Sequence, residues 1–170
     1  FMTQLEKSLD AANTALSYAK EGGSITILNP APAQPLGKNI LKLCDFVTPN
    51  EIEAEQITGI PVKSVSDAEV AADKLLEKGA SAAVITLGEQ GALFKDSKQI
   101  IHQPSFQVGP IVETTGAGDA FNGGLAVALA EEMPIDKALR FACATASISV
   151  TRPGTAPSMP DRNEIDALLI

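Results

Sequence analysis

The sequence predicts a single α/β domain over residues 1–170, built on a mainly parallel sheet, and three observations carry that expectation. Helical and strand patterns alternate along most of the chain, as the crossovers between parallel strands require. The candidate strands are short, mostly β-branched runs bounded by turn residues, a pattern of buried strands. A length of 170 residues suits one compact unit with its own core, and no repeat or obvious linker divides it.

Residues 1–5 read as an interior strand, as though the chain opened partway through a longer polypeptide. In residues 8–20, Leu9, Ala12, Leu16 and Ala19 recur at helical spacing, and Gly22-Gly23 ends the helix, since a left-handed C-terminal residue costs glycine little. Ile25-Thr26-Ile27-Leu28 predicts a buried strand before the turn-rich Asn29-Pro30-Ala31-Pro32. Phe46-Val47-Thr48 repeats that pattern and stops at Pro49-Asn50; residues 51–57 then have helical composition, with acids in the first turn, where the helix dipole favours them. Ser66 and Glu69 have capping-box spacing ahead of Ala68, Ala71, Ala72 and Leu75, which share one helical face that Gly79 closes. A strand over 82–87 follows, then short antiparallel strands at 92–94 and 100–101 around the polar turn Asp96-Ser97-Lys98. A glycine-rich turn at 115–119 feeds alanine-rich helices at 120–130 and 135–150, and a last helix runs from Asp161 to the C-terminus.

Thirteen Lys and Arg against twenty-one Asp and Glu give a formal net charge of -8, which argues against a bulk electrostatic grip on nucleic acid or an anionic membrane. Any phosphate must be held by local geometry. No apolar run approaches the roughly 18–20 residues of a membrane span, and the start shows no basic segment leading into an apolar core, so the expected location is the cytoplasm. His102 is the sole histidine, and Cys44 and Cys143 lie far apart; zinc clusters and Ser-His-Asp chemistry lack their parts.

The sharpest feature is Glu113-Thr114-Thr115-Gly116-Ala117-Gly118-Asp119-Ala120-Phe121-Asn122-Gly123-Gly124, a turn running directly into a helix. Gly116 and Gly118 allow a tight turn with unobstructed N–H groups, and the helix start adds partial positive charge, which together cradle an anion. Asp119 falls in the first turn, where a carboxylate can accept the proton of a hydroxyl attacking phosphorus. Taken alone, the same residues describe an ordinary glycine turn with a helix-start acid.

This run resembles the C-terminal signature of the ribokinase-like family of carbohydrate kinases. Thr48-Pro49-Asn50-Glu51-Ile52-Glu53-Ala54 resembles the family's Asn-x-x-Glu landmark, and Ile85-Thr86-Leu87-Gly88-Glu89-Gln90-Gly91 its nucleotide loop, all in family order. Asn29-Pro30-Ala31-Pro32-Ala33 and Val150-Thr151-Arg152-Pro153-Gly154, with Pro157-Ser158, are similar to the ribokinase branch, which implies transfer of the ATP γ-phosphate to the 5-hydroxyl of D-ribose. The resemblance implies a three-layer α/β/α fold. It makes Asp119 the base, the amides of Gly116, Ala117 and Gly118 the anion hole, and Asn50 and Glu53 neighbours of the phosphates and their Mg²⁺, acting through water. Without it, Asn50 and Glu53 read as a cap and a solvated acid.

It likewise implies that Thr86, Leu87, Gly88, Glu89, Gln90 and Gly91 line the nucleotide, that Cys143 packs beside the adenine, and that Glu6 accepts from the sugar hydroxyls. A K⁺ site falls on Glu113, the carbonyls of Thr115, Ser149, Arg152 and Gly154, and Ser158. Glu113 departs from the family's usual Asp. Another sugar, a nucleoside, or non-catalytic nucleotide binding are the alternatives. Family members have a preceding half with a β lid over the sugar, absent from these residues; the expectation is a C-terminal portion, with a homodimer implied only for a longer parent that carries the lid.

Overall fold

In the structure, a computed structural model, residues 1–36 and 38–170 are described. Among them, strands β1 (Met2–Thr3), β2 (Ile27–Leu28), β3 (Phe46–Val47), β4 (Ala82–Thr86), β5 (Ala92–Asp96) and β6 (Ile100–Gln103) form one sheet in chain order. Helices α1 (Leu9–Glu21), α2 (Lys38–Leu41), α3 (Glu51–Thr58) and α4 (Val65–Glu77) fall in the crossovers, followed by α5 (Ala117–Ala130), α6 (Ile135–Ser149) and α7 (Arg162–Leu169). β1 to β4 are parallel, with Met2 opposite Ile27, Ile27 opposite Phe46 and Phe46 opposite Ala82. Between β5 and β6 the chain reverses at Asp96, whose N–H donates to the Gln99 carbonyl and whose carboxylate accepts from the Lys98 and Gln99 N–H groups; so short a connection cannot be a parallel crossover. The expected α/β class with a mainly parallel sheet is what forms.

The chain is built as two compact units, Phe1–Leu87 with Leu93–His102, and Gly88–Ala92 with Gln103–Ile170. The core of the first gathers Leu16, Leu28, Leu41, Val47, Leu75 and Ile85, all fully buried. Ser8 caps α1 by accepting the Ala11 N–H at 3.2 Å, and the left-handed residue after the helix is Gly23, at φ 77°. The start of β2 is held by Asp45, whose carboxylate accepts the Thr26 N–H at 2.9 Å and the Lys20 ammonium at 3.1 Å. Burial pushes the Asp45 pKa up, but the bonds from Thr26 and Lys20 outweigh it and hold the group below its ordinary value.

Two expectations for this unit are corrected. The strand expected at 1–5 is shorter, the two-residue β1; the chain leaves the sheet at Gln4, whose side chain turns to Asn29. The cap of α4 is Ser64 with Asp67, not Ser66 with Glu69. Ser64 Oγ accepts the Asp67 N–H at 3.1 Å, and the Asp67 carboxylate accepts from the Ser64 hydroxyl and the Lys63 N–H. Both pairs have the spacing, but the helix begins at Val65 and Glu69 lies beside Asp73 near the Lys95 ammonium. The expected face of Ala68, Ala71, Ala72 and Leu75 is buried.

In the second unit, α5 and α6 meet through small residues. A Cβ on Gly124 would come within 2.7 Å of Thr145 Oγ1 and 3.0 Å of Ala142 Cα. Helix α5 begins at Ala117 rather than at 120, so Gly118 and Asp119 are helical. Asp161 caps α7 in a box with Glu164, and the Arg162 guanidinium lies 5.1 Å from the Phe141 ring centroid. Among the described residues no helix is long and apolar enough to cross a membrane.

Candidate functional site

In open parallel sheets, ligands gather at the carboxyl ends of the strands, and the first unit places its candidate residues there. Asn29, just after β2, ties three strand ends together: its N–H donates to the Thr3 carbonyl at 3.0 Å, its Oδ1 accepts from Gln4 Nε2 at 3.0 Å, and its Nδ2 donates to the Thr48 carbonyl at 2.9 Å. Sequence reasoning gave Asn29 no role; its position directly before Pro30, after a β-branched run, was the available signal. Glu6 is exposed in the bend between β1 and α1.

After β3, Asn50 and Glu53 form a capping box on α3. Asn50 Oδ1 accepts the Glu53 N–H at 2.9 Å, and Glu53 Oε2 accepts the Asn50 N–H at 2.9 Å. The capping reading of this pair is therefore realised, and the ligand reading has to use the atoms that the box leaves over. Glu53 is buried, which pushes its pKa up; the Asn50 N–H works against that shift and the neighbouring Glu51 charge adds to it. The charged form of Glu53 thus weakens the fold as pH rises from about 4.5 through its raised value. Glu53→Gln keeps an oxygen for the Asn50 N–H and removes the charge. In urea titrations the variant is expected to gain stability relative to the parent at about pH 7 but not at about pH 4; equal differences at both would contradict this account.

Thr86, at the end of β4, donates its N–H to the Pro49 carbonyl at 3.0 Å and pairs with Asn50. The Leu87 side chain is buried in the core, so only its backbone is left to serve a ligand.

In the second unit, Gly88, Glu89 and Gln90 form a short 3-10 turn with Gly88 at φ 51° and Gly91 at φ 91°. A Cβ on Gly91 would lie 2.0 Å from the Gln103 carbonyl oxygen and 2.7 Å from Ser105 N. The sequence reading attributed this glycine to close approach of a nucleotide; the chain's own backbone already requires it. Cys143 on α6 is buried, with Sγ 3.8 Å from the Gln103 carbonyl, and burial pushes its thiol up to about 12. It is a packing residue and not a reactive thiolate.

The N-cap of α5 is Gly116, at φ 83° and without a side-chain cap bond. The Ala117 N–H donates to the Thr114 carbonyl at 3.1 Å, so of the three expected anion-hole amides this one is engaged in the turn. A Cβ on Gly118 would meet nothing within 4 Å, leaving open space at the positive end of the helix. Asp119 is exposed in that first turn. The buried Asn122, to which sequence reasoning gave no role, holds the Gly118 carbonyl through Nδ2 at 2.9 Å; a polar residue on an otherwise apolar helix face was its signal.

Of the residues expected around K⁺, Glu113 and Gly154 are brought together. Glu113 Oε2 accepts the Gly154 N–H at 2.7 Å, and the Val112 and Glu113 N–H groups donate to the Val150 carbonyl at 2.8 and 3.2 Å. The Gly154 N–H, with help from the Thr115 hydroxyl, holds the Glu113 carboxyl below its ordinary value. Arg152 pairs with Glu164 and donates its N–H to the Ser149 carbonyl at 3.3 Å, and the buried Ser158 hydroxyl donates to the Thr155 carbonyl at 2.7 Å. Among the described residues no three His, Cys, Asp or Glu gather as a metal cluster.

A family model described as pfkB family carbohydrate kinase matches residues 3–162. The chain is 43% identical over 165 residues to the ribokinase of Haemophilus influenzae, covering 96% of this chain and 53% of that protein. It is 38% identical over 167 residues to the deoxyribokinase of Salmonella typhi, covering 98% and 54%. The solved structure of Arabidopsis thaliana ribokinase complexed with ribose and ATP superposes with a TM-score of 0.95 at 31% identity, over 99% of this chain and 55% of that one. The fold is the ribokinase-like α/β fold, and the chain spans about half the length of the curated relatives it matches.

Proposed function

Because this chain belongs to the pfkB family of carbohydrate kinases, we propose that it supplies the nucleotide-binding and phosphoryl-transfer residues of an enzyme that uses ATP to phosphorylate D-ribose at the 5-hydroxyl. The observation that carries the reading is the start of α5, where Asp119 stands exposed in the first turn of a helix capped by a bare glycine with open space above Gly118. Asp119 takes the proton from the attacking hydroxyl, while the Gly116 and Gly118 amides and the helix dipole hold the charge on the moving phosphoryl group. Asn122 holds the Gly118 carbonyl at 2.9 Å, which supports a helix start set before the transition state is reached. Mg²⁺ would neutralise the phosphates, with Asn50 and Glu53 acting on its water shell; Glu113, the carbonyls of Thr115, Ser149, Arg152 and Gly154, and Ser158 would hold K⁺.

Ribose is supported by the likeness to ribokinases. The likeness to a deoxyribokinase at 38% identity favours 2-deoxyribose as the second reading. The test is kcat/KM of the full-length protein on D-ribose, 2-deoxy-D-ribose, fructose and a nucleoside. Ribose is expected to lead, and a lead for any other would replace it.

Glu113 gives a narrower prediction. Its carboxylate is fixed on the Gly154 N–H at 2.7 Å, so its extra methylene displaces the backbone or the cation relative to an aspartate. Glu113→Asp is expected to lower the K⁺ concentration that gives half-maximal rate. Equal half-activating K⁺ in the two proteins would contradict this assignment.

A further inference from the structure

The turn at residues 88–91 meets an extended segment of the same unit. The Gly91 N–H closes it onto the Gly88 carbonyl at 3.0 Å, and Glu89 is exposed. What fixes it in the second unit is the extended segment at residues 103–106. Ser105 Oγ donates to the Glu89 carbonyl at 2.6 Å, and Gly91 packs directly on the backbone from Gln103 to Ser105. The same segment is fastened to α6 at three points one helical turn apart. Cys143 Sγ contacts the Gln103 carbonyl at 3.8 Å, the Phe106 N–H donates to the buried Ser147 Oγ at 3.1 Å, and the Arg140 guanidinium lies 5.4 Å from the Phe106 ring centroid. Residues 103–106 therefore form a strap that sets the distance between the 88–91 turn and the face of α6 that carries Cys143.

We propose that Ser105 and Ser147 are positioning residues for the nucleotide: by anchoring the two sides of this strap, they set the width of the slot between the 88–91 turn and α6 that receives the base and ribose of ATP. The inference rests on the nucleotide reading above and adds residues to which neither the motifs nor the comparisons give a role. The bonds of both serines are made within the chain itself. Ser147 holds the Phe106 amide on helix α6, and Ser105 holds the Glu89 carbonyl of the turn against the strap. Losing either bond lets the turn drift and weakens binding of ATP without altering the sugar.

The experiment is isothermal titration of the full-length protein with ATP, together with KM for ATP and for the sugar. Ser105→Ala and Ser147→Ala are each expected to weaken ATP binding about five- to tenfold, the effect of one neutral hydrogen bond, with the sugar KM unchanged. Ser105→Thr keeps the hydroxyl and restores binding. Ser105 is only half-buried, so its variants report even where Ser147→Ala fails to fold. Unchanged ATP affinity in Ser105→Ala, or a sugar KM that rises in step with that for ATP, overturns the inference while leaving the nucleotide reading intact. Absence of ATP binding by the unsubstituted protein overturns both.

Discussion

Asp119→Asn in the full-length protein is expected to lower kcat by about 10² to 10⁴, the usual worth of a positioned general base, with ATP affinity nearly unchanged. The substitution is close to isosteric and keeps a hydrogen-bonding group in the first turn of α5. It removes only the ability to take a proton and the local negative charge. The amides at the helix start are untouched, so an effect confined to kcat separates loss of the base from damage to the anion cradle. A loss of less than about tenfold would remove Asp119 from the base role, and a parallel loss of ATP affinity would move it into binding.

Gly91→Ala is expected to have the largest effect on stability. Two penalties combine: a left-handed backbone at φ 91°, worth about 1–2 kcal/mol for a residue with a Cβ, and a Cβ placed 2.0 Å from the Gln103 carbonyl oxygen, which forces a backbone shift costing about 1–3 kcal/mol. The sum is roughly 2–5 kcal/mol, visible as a thermal midpoint lower by several degrees and as weakened ATP binding through the displaced turn. Gly23→Ala is the control. Gly23 also has positive φ, at 77°, but nothing lies within 4 Å of its Cβ position, so it carries the first penalty alone. A Gly91→Ala effect no larger than that of Gly23→Ala would show that the strap yields without resistance.

Much of the fold was legible because its signals are local. Ala68, Ala71, Ala72 and Leu75 repeat at helical spacing whatever they pack against, and Gly23 and Gly79 mark left-handed helix ends that glycine forms cheaply. The misreadings came where two local signals compete. Ser64 with Asp67 and Ser66 with Glu69 share one spacing, and in the structure Ser64 caps the helix while Glu69 lies near Lys95, a residue distant in sequence. The start of α5 was placed late because Gly116-Ala117-Gly118 has poor helix propensity, yet the first helical turn runs through it.

For the site the same division holds. The glycine-rich run announces the helix start and Asp119, since phosphate cradles need that composition. What holds those groups in place was not legible. Asn29 lacing the strand ends, Asn122 holding Gly118, and the 103–106 strap are made by bonds across 16 to 41 residues of sequence or by buried polar groups on apolar faces. No periodicity encodes them. Gly91 carries a second requirement that the motif does not announce: its Cβ position is filled by the chain's own backbone at residues 103–105.

The measurement that bears most directly on the central claim is ADP release by the full-length protein with Mg·ATP and K⁺, with and without D-ribose, beside its Asp119→Asn variant. The account predicts ADP release that depends on ribose and that the substitution abolishes or nearly so. ATP binding with no ribose-dependent release, or release that survives the loss of Asp119, would contradict it.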